Sequence, residues 1–213
     1  MTVVQAILGF GAIAVVITLI PGLDVTLVLR TALVRGRRHA LAAALGICTG
    51  AMVWGGAAAV GAAALLAASR AAYMVVTVAG AAYMVYLGIS MLVKSVRLGA
   101  ASHLELTVGG APHAAWRAFA TGAWTDLLNP KMGVFYVATI PQFIPVGTSH
   151  LGMGLLLAGV HVVIAMTWFV VIITGATVAR GWLANARALR VIDRIAGVVL
   201  VAFGARLALQ HRW

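Results

Sequence analysis

The chain has 213 residues, of which 63% are hydrophobic and only 9% charged, and its net charge is +11. With a mean hydropathy of +1.08, its segments must be read against a bilayer, and no stretch is polar enough for a soluble domain. The basic residues stand in short clusters between apolar runs, not along one solvated face, which argues against nucleic acid, and the single cysteine, Cys48, excludes an internal disulfide.

The first apolar run, residues 3 to 29, is too long for a signal-peptide core and has no basic segment before it, so it is expected to remain as span one. Pro21-Gly22-Leu23-Asp24 interrupts it. Proline removes a backbone donor, and a carboxylate at this depth costs at least about 2.5 kcal/mol, so the pair marks a candidate site. Span two, 40 to 68, carries Gly46 and Gly50 at the spacing that lets helices approach closely. Packing within the chain is the default and a homodimer face the alternative. Span three, 72 to 93, is followed by a loop from about 95 to 117. Its Glu105, His103 and His113 match no metal-ligand spacing and read as solvated.

Span four, 118 to 140, contains Asp126-Leu127-Leu128-Asn129-Pro130-Lys131. Asn129-Pro130 reads as an N-cap followed by a first-turn proline, so a new helix is expected to start inside the membrane. Such a start offers free N–H groups and a positive dipole end, to which Lys131 adds a full charge. Span five, 151 to 179, holds His161, either a proton relay or a histidine bonded to a neighbouring helix. Span six covers 191 to 210. The threonines inside spans are expected to bond their own helix backbones, with Thr125 the exception by position. The tryptophans, Trp54 among them, are expected to act as interfacial anchors.

Arg30, Arg35, Arg37, Arg38, Lys94, Arg97, Arg117, Arg180, Arg187, Arg190 and Arg194 all fall in alternate loops, whereas the opposite side has only Arg70 and Arg212. Both termini should therefore face outward. Three spans per half require the halves, if they share a fold, to be inverted. Phe10 and Pro21 match Phe119 and Pro130 at a constant offset, in keeping with such a repeat. The expected fold is an all-α integral membrane protein of six transmembrane helices in a 3+3 inverted repeat. Repeat A covers about 1–95 and repeat B about 118–213, and helices one and four are broken at the proline motifs. If the broken helices cross, Asp24 and Asp126 face Lys131, a charge pattern that suits a zwitterion. The alternative is a buried Asp24–Lys131 ion pair with no ligand.

Pro21-Gly22-Leu23-Asp24 with Gly36-Arg37-Arg38, Gly46 and Gly50, Gly80-Ala81-Ala82-Tyr83, Tyr86-Leu87-Gly88, Leu128-Asn129-Pro130-Lys131 and Pro141-Gln142-Phe143 together resemble the lysine exporter superfamily, specifically its LysE/RhtB-type amino-acid exporters. The resemblance spans essentially the whole chain. It implies a bacterial inner-membrane exporter of amino acids or close relatives, coupled to proton influx, with no cofactor and no catalysis. By match to the two motifs, Pro21, Gly22, Asp24, Asn129, Pro130 and Lys131 become site residues, joined by Asp126, Thr125 and His161 from the reading of the spans. Asp24 is the leading coupling carboxylate. Where the family repeats proline after Pro-Gly, this chain has Leu23, which weakens the expectation of a rigid first break. A cation exporter and a membrane-embedded enzyme are the alternatives. Lys131 opposes the first, and the second lacks a paired nucleophile and base.

Overall fold

The computed structural model describes residues 1–97, 115–176, 178 and 186–210. The loop bearing His103, Glu105 and His113, and with it Arg180, Trp182, Arg212 and Trp213, lies outside the described residues. Among those described, the secondary structure is helical throughout. In chain order the helices are α1 (Val3–Leu19), α2 (Leu23–Arg35), α3 (Arg37–Ala68), α4 (Arg70–Arg97), α5 (Ala115–Leu127), α6 (Pro130–Thr139), α7 (His150–Thr174) and α8 (Ala186–Gln210), with a 3-10 turn at Ile140–Phe143.

Local chemistry accounts for the helix ends. Thr2 and Gln5 close α1 reciprocally: the Thr2 hydroxyl takes the Gln5 amide, and the Gln5 side chain takes the Thr2 amide. Ser149 caps α7 through the Gly152 amide at 3.2 Å. Gly36 joins α2 to α3 at φ +82, where a side chain would be strained. Between α1 and α2, Pro21 and the extended Gly22 (φ −148, ψ −163) turn the axis by 55°. The softened first break expected from Leu23 is not what is found. Pro21 and Gly22 suffice for the bend, and Leu23 sits as the first residue of α2.

Among the described residues three helices, α3, α4 and α7, contain stretches long and apolar enough to cross a bilayer, and α1 with α2 makes a fourth if counted as one bent span. The helices α5 and α6 are too short singly, and α8 carries Arg190, Asp193, Arg194 and Arg206. The spans read from sequence as 72 to 93 and 191 to 210 lie within longer helices that begin at Arg70 and Ala186.

Small residues set the packing. A Cβ on Gly46 would overlap the Phe119 carbonyl, and one on Gly122 would overlap the Ala43 carbonyl, so α3 and α5 touch backbone to backbone. The Gly46–Gly50 face is thus used inside the chain. Gly55 and Gly154 bring α3 against α7, and Gly88 and Gly197 bring α4 against α8. The threonines 49, 77, 121, 139, 167 and 174 each donate to a carbonyl of their own helix.

Two apolar clusters result. One gathers Phe10, Ile13, Ile17, Phe135, Tyr136, Ile140 and Leu157, with Phe143 and Phe203 stacked beside it at 6.1 Å. The other gathers Val25, Val28, Leu29, Ile47, Phe169 and Ile172. Of the buried polar side chains, Asp24, Asp126 and His161 lie between them.

Candidate functional site

A cavity of about 30 Å³ lies between the two apolar clusters. Its lining includes Thr18, Asp24, Cys48, Asp126, Lys131 and His161. The segments that interrupt the helices, 20–22 and 128–129, meet here. Lys131, on the first turn of α6, reaches across to the first interruption: a Cβ on Gly22 would lie 3.1 Å from its Nζ. Asp24 enters from the first turn of α2 and Asp126 from the last turn of α5, so residues 102 apart in sequence face one cavity.

The two aspartates are held differently. Asp24 Oδ2 accepts from Asn129 Nδ2 at 3.1 Å, which ties the start of α2 to the start of α6, while Oδ1 has no partner. Asp126 is 0% exposed, and both of its oxygens are without a hydrogen-bond partner. Among the described residues no ion pair within 4.0 Å joins Lys131 to either aspartate, although its charge acts on both. A closed Asp24–Lys131 pair is therefore not what the cavity holds. Two carboxylates against one ammonium leave one negative charge in excess in an apolar layer, a costly arrangement unless a proton or cation enters.

The two helix starts also differ. At α6, the Asn129 side chain takes the Lys131 amide at 3.1 Å, and the Asn129 carbonyl takes the Met132 and Gly133 amides at 3.0 and 3.1 Å. Pro130 has no amide to offer. The free donors expected at this start are consumed by its own cap. At α2, Gly22 provides no side-chain cap, and only the Thr26 amide finds the Gly22 carbonyl. The amides of Leu23, Asp24 and Val25 have no acceptor among the described residues. Asp24 pairs its Oδ2 with Asn129 and accepts from none of these amides.

His161 is buried at the cavity wall. Its Nδ1 pairs with the Tyr136 hydroxyl at 2.8 Å and its Nε2 with the Thr18 hydroxyl at 3.1 Å, so it links α1, α6 and α7. A neutral imidazole supplies one donor and one acceptor, which this pair of hydroxyls matches. Thr125 is not part of the cluster; it lines an outer groove with Leu23, Trp116, Trp124 and Leu128.

Sequence reasoning missed Thr18, Tyr136 and Trp54. Trp54 is not the anchor expected. Its Nε1 donates to the Asp126 carbonyl at 3.4 Å, and its ring lies against Gly133, bridging the second interruption. A signal was available, since Gly46, Gly50 and Trp54 repeat every fourth residue and so share one face of α3. Among the described residues no group of three or more metal-ligating side chains is present.

The family model described as LysE type translocator matches residues 15–211. The chain is similar to an uncharacterized membrane protein, YrhP, of Bacillus subtilis, at 29% identity over 97% of this chain and all of the relative. It is similar to the threonine efflux protein of Escherichia coli K12, at 28% over 96% of this chain and 98% of the relative. The leucine efflux protein of an Enterobacter strain matches at 29% over 92% and 91%. No solved structure matches the chain.

Proposed function

We propose, from the premise that the chain belongs to the LysE type translocator family, that it exports amino acids or closely related small zwitterions outward across the bacterial inner membrane by alternating access. The observation that carries this reading is the cavity where both interrupted helices bring Asp24, Asp126 and Lys131 together. An amino acid presents a carboxylate and an ammonium a few ångströms apart, and this set of charges recognises both whatever the side chain. Relatives named for threonine and leucine efflux support the same substrate class. Lys131 in the same cavity opposes a bare metal cation.

A cavity of about 30 Å³ has room for a water or two and not for an amino acid, so it represents a closed site. The cluster around Phe10, Phe135 and Phe143 shuts one approach, and the cluster around Val28, Ile47 and Phe169 shuts the other. Movement of the α1–α2 and α5–α6 segments about their interruptions opens one at a time. With both termini outside, the aromatic cluster is the outer plug.

The topology we propose has six spans, with α1–α2 and α5–α6 each counted as one, in two inverted halves. Each half is then an interrupted span followed by two helices. Second helices α3 and α7 pack together, as do third helices α4 and α8, as elements related by a pseudo-two-fold axis would. The excess negative charge supports coupling to a proton. Asp126, with two unpartnered oxygens, is better placed to carry it than Asp24, which Asn129 holds.

The test is counterflow in proteoliposomes. Vesicles loaded with unlabelled threonine, homoserine or leucine should accumulate the labelled amino acid only when they contain the protein. If they accumulated manganese or cadmium and no amino acid, the reading would fall.

A further inference from the structure

We propose that the carboxylate of the exported amino acid docks on the free amide N–H groups at the start of α2, Leu23 to Val25, beside the Lys131 ammonium, with the substrate's own ammonium facing Asp126. This rests on the amino-acid reading above and assigns its two ends. Either helix start could bind an anion in principle, because first-turn residues of both, Asp24 and Val25 of α2 and Lys131 and Met132 of α6, line the cavity and each start carries a positive dipole end. They differ in what remains unsatisfied. The first turn of α6 is closed by Asn129, whereas three successive amides of α2 have no acceptor among the described residues. Backbone amides without an acceptor in an apolar layer are expensive, and a carboxylate can satisfy two or three of them with charge-assisted bonds.

A second, independent observation points to the same ligand. Asp126 lines the cavity fully buried with both oxygens unpartnered, and Asp24 Oδ1 is likewise without a partner. Unpartnered carboxylate oxygens call for a cation, free amides beside an ammonium call for an anion, and one zwitterion answers both. Lys131 stands nearer the first end, since its Nζ lies over Gly22, the residue just before the free amides. Its role is to complete a site on α2, although it belongs to α6.

Leu23 makes this testable at the backbone. Its side chain is 59% exposed and packs outside the cavity, and Gly22 before it is already extended, as a residue preceding proline must be. Proline is favoured at the first helical position. Leu23→Pro therefore keeps the helix start and deletes one amide donor, whereas Leu23→Ala removes the same side chain and keeps the donor. In counterflow with labelled threonine, the half-saturating concentration of Leu23→Pro should exceed that of Leu23→Ala by about tenfold or more, the worth of one hydrogen bond to a charged group. Threonine methyl ester, which lacks the carboxylate charge, should compete poorly against wild type.

Equal values for the two variants would overturn the assignment, even if the ester failed to compete, because the carboxylate would then be recognised elsewhere. Wild-type vesicles that exchanged no amino acid at all would instead sink the amino-acid reading, and this assignment with it. Should Leu23→Pro not reach the membrane, selective 15N-leucine labelling of wild type reads the amide directly. The Leu23 resonance, identified by its loss in Leu23→Ala, should move on adding threonine and not on adding the ester. A resonance indifferent to threonine would contradict the proposal.

Discussion

The two helix interruptions contain similar ingredients, a proline, a neighbouring aspartate and a helix starting inside the apolar layer, yet they are finished in opposite ways. At 128–129 the backbone is closed: Asn129 satisfies the first amides of α6, and Trp54 and the Asn129 amide share the Asp126 carbonyl. At 20–22 it is left open, with uncapped amides facing a lysine from the other segment. A discontinuous helix is thus not in itself a binding site. On the assignment proposed above, what separates a structural break from a functional one is whether its freed polar groups find partners in the protein.

The comparison breaks most completely at Lys131, which serves the open break from the closed one. Lys131→Met leaves the α2 amides and both aspartates without their cation, and export should fall by about a hundredfold or more, consistent with losing one member of a buried charge set. Initial rates of counterflow measure this. Near-normal rates would show that the lysine is not in the site.

Asp126→Asn removes the carboxylate that has no partner. Efflux driven by acid outside should drop by about tenfold or more and lose its dependence on external pH, while counterflow at equal pH should continue at a raised half-saturating concentration, because the asparagine oxygen still accepts from the substrate ammonium but no longer carries a charge. The sign follows from the proposed coupling: with proton entry driving substrate exit, lowering external pH should speed wild-type efflux. A variant still accelerated by external acid would move coupling elsewhere, with Asp24 the next candidate.

The closed break should respond in stability before it responds in transport. Asn129→Ala removes an N-cap, worth about 1 kcal/mol, and leaves Asp24 Oδ2 without its partner. The thermal midpoint in detergent should fall by several degrees. Trp54→Phe keeps the ring against Gly133 and loses only a 3.4 Å hydrogen bond, so its effect should be the smallest, under about 1 kcal/mol. A larger transport defect than stability defect in Trp54→Phe would mean that the second interruption moves in the cycle more than its closed finish suggests.

Much of this arrangement was legible in the sequence because membrane segments advertise expensive residues. A carboxylate or lysine in an apolar run stands out without any structural information, so Asp24, Asp126 and Lys131 could be named, and a capping asparagine before a proline marks a helix start wherever it occurs. Which start remains free was not legible. Asn129-Pro130-Lys131 reads as the anion-binding half because cap, proline and cation coincide. The same cap, however, uses up the amides it was expected to present. Leu23 reads as a departure that weakens the first break, yet it is the residue that keeps an amide there. Thr18 was invisible because threonine hydroxyls in membrane helices usually bond their own backbone, and Tyr136 because the partner of a phenol hydroxyl is set by how other helices pack; only the folded chain brings these two to His161.

The most direct test of the contrast is a structure determined with a bound amino acid. The carboxylate should lie within hydrogen-bonding distance of the Leu23 to Val25 amides and Lys131 Nζ, with Asn129 still capping α6 and Asp126 facing the substrate ammonium. A carboxylate seated on the start of α6, with Asn129 turned away from the Lys131 amide, would contradict the account.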